Sequence, residues 1–135
     1  MIEAAEKRVP VKDEYDIVMA RSAGKNVAKD VGFGIVDQTR IATAISELAR
    51  NIIVHAVEGM IEIRQIYGNE GNAGLEVVAT DNGPGIPDIE QAMRDGFSTG
   101  RGLGAGLGGA KRLADEFEID STVGKGTRVT VRKWL

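Results

Sequence analysis

Three groups of residues in this chain have the types and spacing to do chemistry. Glu47 and Asn51 stand four apart in "SELARN", so on a helix they share a face. A carboxylate and an amide oxygen placed together suit a Mg²⁺ ion that also touches phosphates and keeps several waters. The same pair reads equally well as a solvated Glu and an indifferent helix-interior Asn. Asp81 opens "DNGPGI". An aspartate at a strand end accepts a hydrogen bond from an amine such as that of adenine, and Gly83 and Gly85 let a flat ring approach the backbone. Asp, Asn, Gly and Pro are also the ordinary material of turns. The third group is "GLGAGLGGAKRLADEF", beginning at Gly102. Consecutive glycines let several backbone N–H groups face one anion, and a following helix start adds its dipole.

Known phosphate loops do not account for the glycines. From Gly104 the order is G-A-G-L-G-G-A-K. The lysine comes one place late for a Walker loop, and no Ser or Thr follows it. Gly104, Gly106 and Gly109 match G-x-G-x-x-G, but they follow a long loop and no βαβ unit surrounds them. The eukaryotic-type kinase segments are missing as well. A flexible linker would be Gly/Ser-rich and polar, whereas this stretch interleaves Leu103, Ala105 and Leu107.

Apolar periodicity indicates the elements that must carry these groups. Asp13 reads as an N-cap, and Ile17, Val18, Ala20, Ala23, Val27 and Val31 recur at helical spacing up to "GFG" at 32–34. Asp37 then reads as the cap of a second helix reaching about residue 57, with a stripe of Ile41, Ala44, Ile45, Leu48 and Ile52. Glu47 and Asn51 flank that stripe, at the rim of a groove. Arg50 points away from it, toward the surface or a partner, and His55 falls near the stripe as a packed or partly buried histidine. The period then switches. Strands are expected at 8–11 (an edge), 60–67, 75–80 (nearly all apolar, hence central), 117–122 and 128–134, with a hairpin loop at 68–74. Helices are expected at 88–95 and 109–116. The order implies one mixed, mostly antiparallel sheet with helices on one face, an α/β two-layer sandwich within a single domain spanning 1–135.

Composition limits the function. The 135 residues include 42% hydrophobic and 27% charged residues, ordinary for a globular protein. A net charge of −3 argues against a nucleic-acid binder. The absence of cysteine excludes disulfides and thiolate metal sites. The first ten residues lack the apolar core of a signal peptide and no run is long enough to span a bilayer, so a cytoplasmic chain with no membrane partner is expected.

Taken in order, a helix with E-x-x-x-N, a strand running into D-x-G-x-G, a long loop, a glycine cluster and a hairpin with "GKGT" resembles the GHKL ATPase/kinase superfamily and its Bergerat ATP-binding fold. The resemblance covers almost everything from Asp13 onward. It implies ATP and Mg²⁺ as ligands. It places Asn51 on the metal, Asp81 on the adenine amine, Gly85 along the ring and Thr127 near the adenine side. Gly102, Gly104, Gly106, Leu107 and Gly108 fall in the phosphate-binding box, and a lid covers about 88–108. Arg101, at the lid's end, reads as a phosphate contact or a solvated charge.

The size leaves room for a catalytic domain alone, so the phosphoryl acceptor is expected on another protein. "DQTRIATAISELARNI", "DNGPGIPDIEQAMRDGFSTG" and the closing "KWL" are similar to RsbT-type switch kinases of the bacterial stressosome. That group implies a serine/threonine kinase acting on STAS-domain proteins, which when released activates a PP2C-type phosphatase. Glu47 is then the candidate to orient and deprotonate the acceptor hydroxyl. Anti-sigma factor kinases, a plain ATPase and a non-catalytic ATP-binding module are the alternatives. The chain departs from some relatives in having Gly at both 108 and 109, where a proline is expected.

Overall fold

The computed structural model describes residues 6–56, 58–86, 93 and 106–135. Strand β1 (Glu6–Val11) leads into helix α1 (Glu14–Val31) and helix α2 (Ile35–Ala56). Strands β2 (Gly59–Tyr67) and β3 (Ala73–Asp81) follow, then helix α3 (Gly106–Leu113) and strands β4 (Glu116–Thr122) and β5 (Gly126–Trp134). The strands lie in the order β1-β2-β3-β5-β4. Every described pairing is antiparallel, in keeping with the mostly antiparallel sheet expected. β3 is central, as its apolar run implied, and β1 and β4 are the edges.

Local chemistry sets the limits of α1. Asp13 accepts from Asp16 N–H at 3.2 Å, and Asp16 accepts in return from Asp13 N–H at 3.3 Å, a reciprocal capping box. At the other end Gly32 adopts φ +117°, and its N–H reaches Ala28 and Lys29 carbonyls at 3.1 Å. Only a residue without Cβ takes that left-handed conformation cheaply. The cap of α2 differs from expectation. The helix begins at Ile35, and Gln38 N–H bonds Gly34 O at 2.9 Å. Asp37 therefore sits inside the first turn, where its charge complements the dipole instead of capping.

The helices pack on one sheet face. Ile17, Val27 and Val31 from α1, Ile41, Ile45, Leu48 and Ile52 from α2, and Leu107 and Ala110 from α3 meet Ile61, Ile63, Leu75, Val77, Val129 and Val131 of the sheet. Val18, which the periodicity placed on the buried stripe, is 43% exposed. α1 and α3 lie on opposite flanks of α2, which contacts both.

The other sheet face carries charge. Glu76, on β3, accepts from Arg64 Nε at 2.7 Å and from Arg132 Nε at 2.8 Å. Arg132 also reaches Glu116 at 3.2 Å. Burial pushes the Glu76 carboxyl up, but the hydrogen bonds from Arg132 and Arg64 outweigh it and hold the group below the usual carboxylate range.

Candidate nucleotide site at the end of strand β3

The elements bring Asp81, Gly85 and Thr127 together and set the last turns of α2 beside them. Asp81 is the final residue of β3 and is buried, as is Thr127, its register partner across the β3–β5 ladder. Asp81 Oδ1 accepts from Gly83 N–H at 2.9 Å, which folds the chain back immediately after the strand. A Cβ on Gly83 would meet Ala56 of α2 at 2.6 Å. A Cβ on Gly59 would meet Ile52 at 2.9 Å and the Asp81 side chain at 3.1 Å. These close approaches seat the end of α2, from Ile52 to Ala56, against the end of β3.

Glu47 is 7% exposed and Asn51 is half-buried, so neither stands in open solvent. Arg50 is half-buried. His55 is exposed, contrary to the packed reading. Ile52 is the last buried residue of α2, and the final turn extends beyond the core.

Gly85 adopts φ +81°, and a Cβ there would lie 2.5 Å from Thr122 O. Glycine is required on both counts. The loop carrying it is pinned to the β4–β5 turn at two points. Gly124 N–H donates to Pro84 O at 2.8 Å, and Ile86 N–H donates to Ser121 Oγ at 2.7 Å. Ser121 Oγ also lies 2.8 Å from Thr127 Oγ1. Sequence reasoning missed Ser121. Its only local signal was a hydroxyl on the inward-facing positions of β4, in line with Phe117 and Ile119. At Gly126 (φ +127°) an added Cβ would fall onto the Asp81 carbonyl oxygen, so the start of β5 is held close under the end of β3.

The glycine cluster is helical sooner than expected. α3 starts at Gly106, not at 109, and ends at Leu113, so Glu116 opens β4 instead of closing a helix. Leu107, Gly108, Gly109 and Ala110 are buried. By their place in the first turn, the backbone N–H groups of Gly106, Leu107 and Gly108 are donors that a helix leaves without a partner of its own. Lys111 and Arg112 are exposed on the same helix. Gly102, Gly104, Arg101 and all of the expected helix at 88–95 but residue 93 lie outside the described residues, as does most of the expected lid.

Among the described residues no cluster of three or more His, Asp or Glu side chains could hold a metal by itself. No described helix is long and apolar enough to cross a membrane.

Comparison with known proteins gives the arrangement a family. Residues 36–135 match the family of histidine kinase-, DNA gyrase B- and HSP90-like ATPases. The chain is 58% identical over 127 residues to the serine/threonine-protein kinase RsbT of Bacillus subtilis (strain 168), covering 94% of this chain and 95% of that one. It is 37% identical over 98 residues to the anti-sigma F factor of Thermoanaerobacter sp. (strain X514), covering 70% and 68%. Among solved structures, the RsbU and RsbW domains of a Mycobacterium tuberculosis protein superpose with a TM-score of 0.63 at 20% identity, over 98% of this chain and 32% of theirs. The mycobacterial sensor histidine kinase MprB superposes at 0.55 and 17% identity, over 96% and 97%. These two likenesses concern the fold. The sequence likeness goes further: the chain belongs to the histidine kinase-, DNA gyrase B- and HSP90-like ATPase family, in the branch of the serine/threonine-protein kinase RsbT.

Proposed function

We propose that this chain transfers the ATP γ-phosphoryl group to a serine or threonine of a STAS-domain partner, and that when released from that partner it activates a PP2C-type phosphatase. One observation carries the reading: buried Asp81, its ladder partner Thr127 and left-handed Gly85 converge beside the helix that bears Glu47 and Asn51. Asp81 accepts from the adenine amine, Gly85 lies along the ring, and Thr127 closes the adenine side. The first-turn N–H groups of α3 at Gly106, Leu107 and Gly108, with Gly102 and Gly104 before them, hold the phosphates.

The donor set fits Mg²⁺, a hard cation that takes oxygen ligands and keeps several waters. The half-buried Asn51 amide oxygen supplies one such ligand, and Mg²⁺ when bound would neutralise charge between phosphate oxygens. The chain's own residues do the rest. Glu47 orients the acceptor hydroxyl and takes its proton as the oxygen attacks the γ-phosphorus. The bond to the β-phosphate oxygen breaks, its electron pair leaves with ADP, and the first-turn N–H groups stabilise the developing charge. The stretch from about residue 88 up to the start of α3 serves as the lid over the bound nucleotide, and a cytoplasmic setting suits a chain without cysteine.

Incubation with γ-labelled ATP and STAS proteins from the same genome tests the reading. Label on a STAS serine or threonine supports it; release of phosphate without labelled protein makes the chain a plain ATPase. The likeness to an anti-sigma F factor favours one second reading, that a sigma factor is also bound. A pull-down with sigma factors alongside the phosphatase separates the two.

A further inference from the structure

The outward face of α1 has no role in the nucleotide site. At its N-terminal half Tyr15, Val18 and Met19 are 67%, 43% and 45% exposed. They stand at i, i+3 and i+4, so they form one apolar patch on the helix surface. Arg21, Lys25 and Lys29 continue from it at steps of four, a single basic ridge, and all three are exposed. None of them enters an ion pair among the described residues, although Arg8, Arg40, Arg64, Arg132 and Lys133 all do. The acidic residues of α1 stand at its ends: Glu14 and Asp16 in the first turn, where Asp16 is held by the capping box, and Asp30 in the last. The patch and ridge together run about 21 Å, at 1.5 Å per residue from Tyr15 to Lys29.

Three large exposed apolar side chains form a patch that water solvates poorly, and the three hydrated cations beside it are free to pair. The complementary shape is another helix, and the complementary charge is negative. The position matters too. α1 packs on α2, β1, β2 and β3, while α3 packs on α2, with no comparable contact between α1 and α3 among the described residues. A protein seated on α1 does not occupy the phosphoryl-transfer groove.

We infer that the α1 face docks an amphipathic helix with an apolar seam and an acidic flank, belonging to a partner that is bound without being phosphorylated. This rests on the function proposed above and assigns the face to the phosphatase, not to the STAS substrate. Electrostatic pairing of this kind raises association rates and weakens with salt.

The test uses the full chain and the PP2C-type phosphatase of the same genome, titrated at 50 and 300 mM salt. The parent is compared with the triple variant R21E/K25E/K29E and with Y15S/V18S. Each variant should bind the phosphatase at least tenfold more weakly, and the parent's affinity should fall at high salt. Nucleotide affinity and STAS phosphorylation should stay within twofold of the parent, with unchanged circular dichroism. Equal binding by parent and both variants overturns the inference and leaves the function standing. Loss of STAS phosphorylation with phosphatase binding intact also overturns it, since the face then serves the substrate. A parent dimer that the variants dissolve makes the occupant a second copy, again against the inference. Failure of the parent itself to bind the phosphatase removes that arm of the function and this occupant together, while STAS labelling still decides the kinase reading.

Discussion

Asp81 and Thr127 face one another across the β3–β5 ladder, and Thr127 passes the contact on to Ser121 through a 2.8 Å hydroxyl pair. Ser121 in turn holds Ile86 N–H at 2.7 Å. The end of the central strand, the loop after it and the edge strand are thereby tied into one rigid rim. On the function proposed above, a nucleotide base meeting this rim would find its polar partners already positioned, so little ordering entropy would remain to be lost on binding.

Asp81→Asn tests the centre of that rim. The amide still accepts from Gly83 N–H through its oxygen, so the turn is kept. What is lost is the charge and the second acceptor oxygen, whose place an NH2 donor takes, and a charged hydrogen bond is stronger by about 1–2 kcal/mol than a neutral one. Titration with a fluorescent ATP analogue should show roughly tenfold or greater weakening, with the melting temperature of the free protein little changed. Parental affinity in the Asn variant would remove Asp81 from the base-binding role.

Ser121→Ala tests whether the rim's rigidity matters. Ile86 N–H loses its acceptor, and among the described residues the Gly124–Pro84 bond at 2.8 Å is what still ties the loop bearing Gly85 to the β4–β5 turn. One neutral hydrogen bond is worth about 1 kcal/mol, so ATP affinity should fall about fivefold. Amide exchange should speed up at Ile86 and stay slow in the middle of β3. Unchanged exchange at Ile86 would show that Ser121 does not hold the loop.

Glu47→Ala separates binding from transfer. Glu47 lies on α2 and not on the rim that holds the base, so nucleotide affinity should remain within about threefold. Phosphorylation of a STAS partner should drop by about 10²-fold or more, the usual loss when a positioned acid–base group is removed. Full activity in this variant would end the assignment of Glu47 to the acceptor hydroxyl.

Much of this arrangement was legible in the sequence where local chemistry decides it. Asp13 and Gly32 bracket α1 because a side-chain cap and a left-handed glycine act within one turn. The central place of β3 followed from its apolar run. Asp37 misled because it resembles a cap, while Gly34 performs that role and the Gln38 amide, donating to Phe33 O at 2.8 Å, secures the corner. The start of α3 was read three residues late. Glycine is a poor helix former, and what makes 106–109 helical is the burial of Leu107 and Ala110 against α2, a tertiary effect. Val18 and His55 fit an apolar stripe by spacing alone, yet the core ends short of them. Ser121 acts on a residue 35 positions away, and no local pattern announces such a partner.

Acid should unmask the cluster on the other sheet face. Glu76 is buried between Arg64 and Arg132, which hold its carboxyl below the usual range. A depressed carboxylate stabilises the fold fully above its unfolded pKa, near 4.3 for glutamate. That contribution is lost as pH falls through the lower, folded value. Glu76→Gln removes the charge at every pH and leaves both guanidiniums without their shared partner. Since Arg64 and Arg132 retain access to water, with side chains 57% and 26% exposed, the cost at neutral pH should be about 2 kcal/mol and not the larger figure of a fully buried pair. Denaturant melts at pH 7 and at about pH 3 should show the gap between parent and variant shrinking in acid, because the parent's own Glu76 is then losing its charge. A gap of the same size at both values would mean that shape, not charge, makes Glu76 matter.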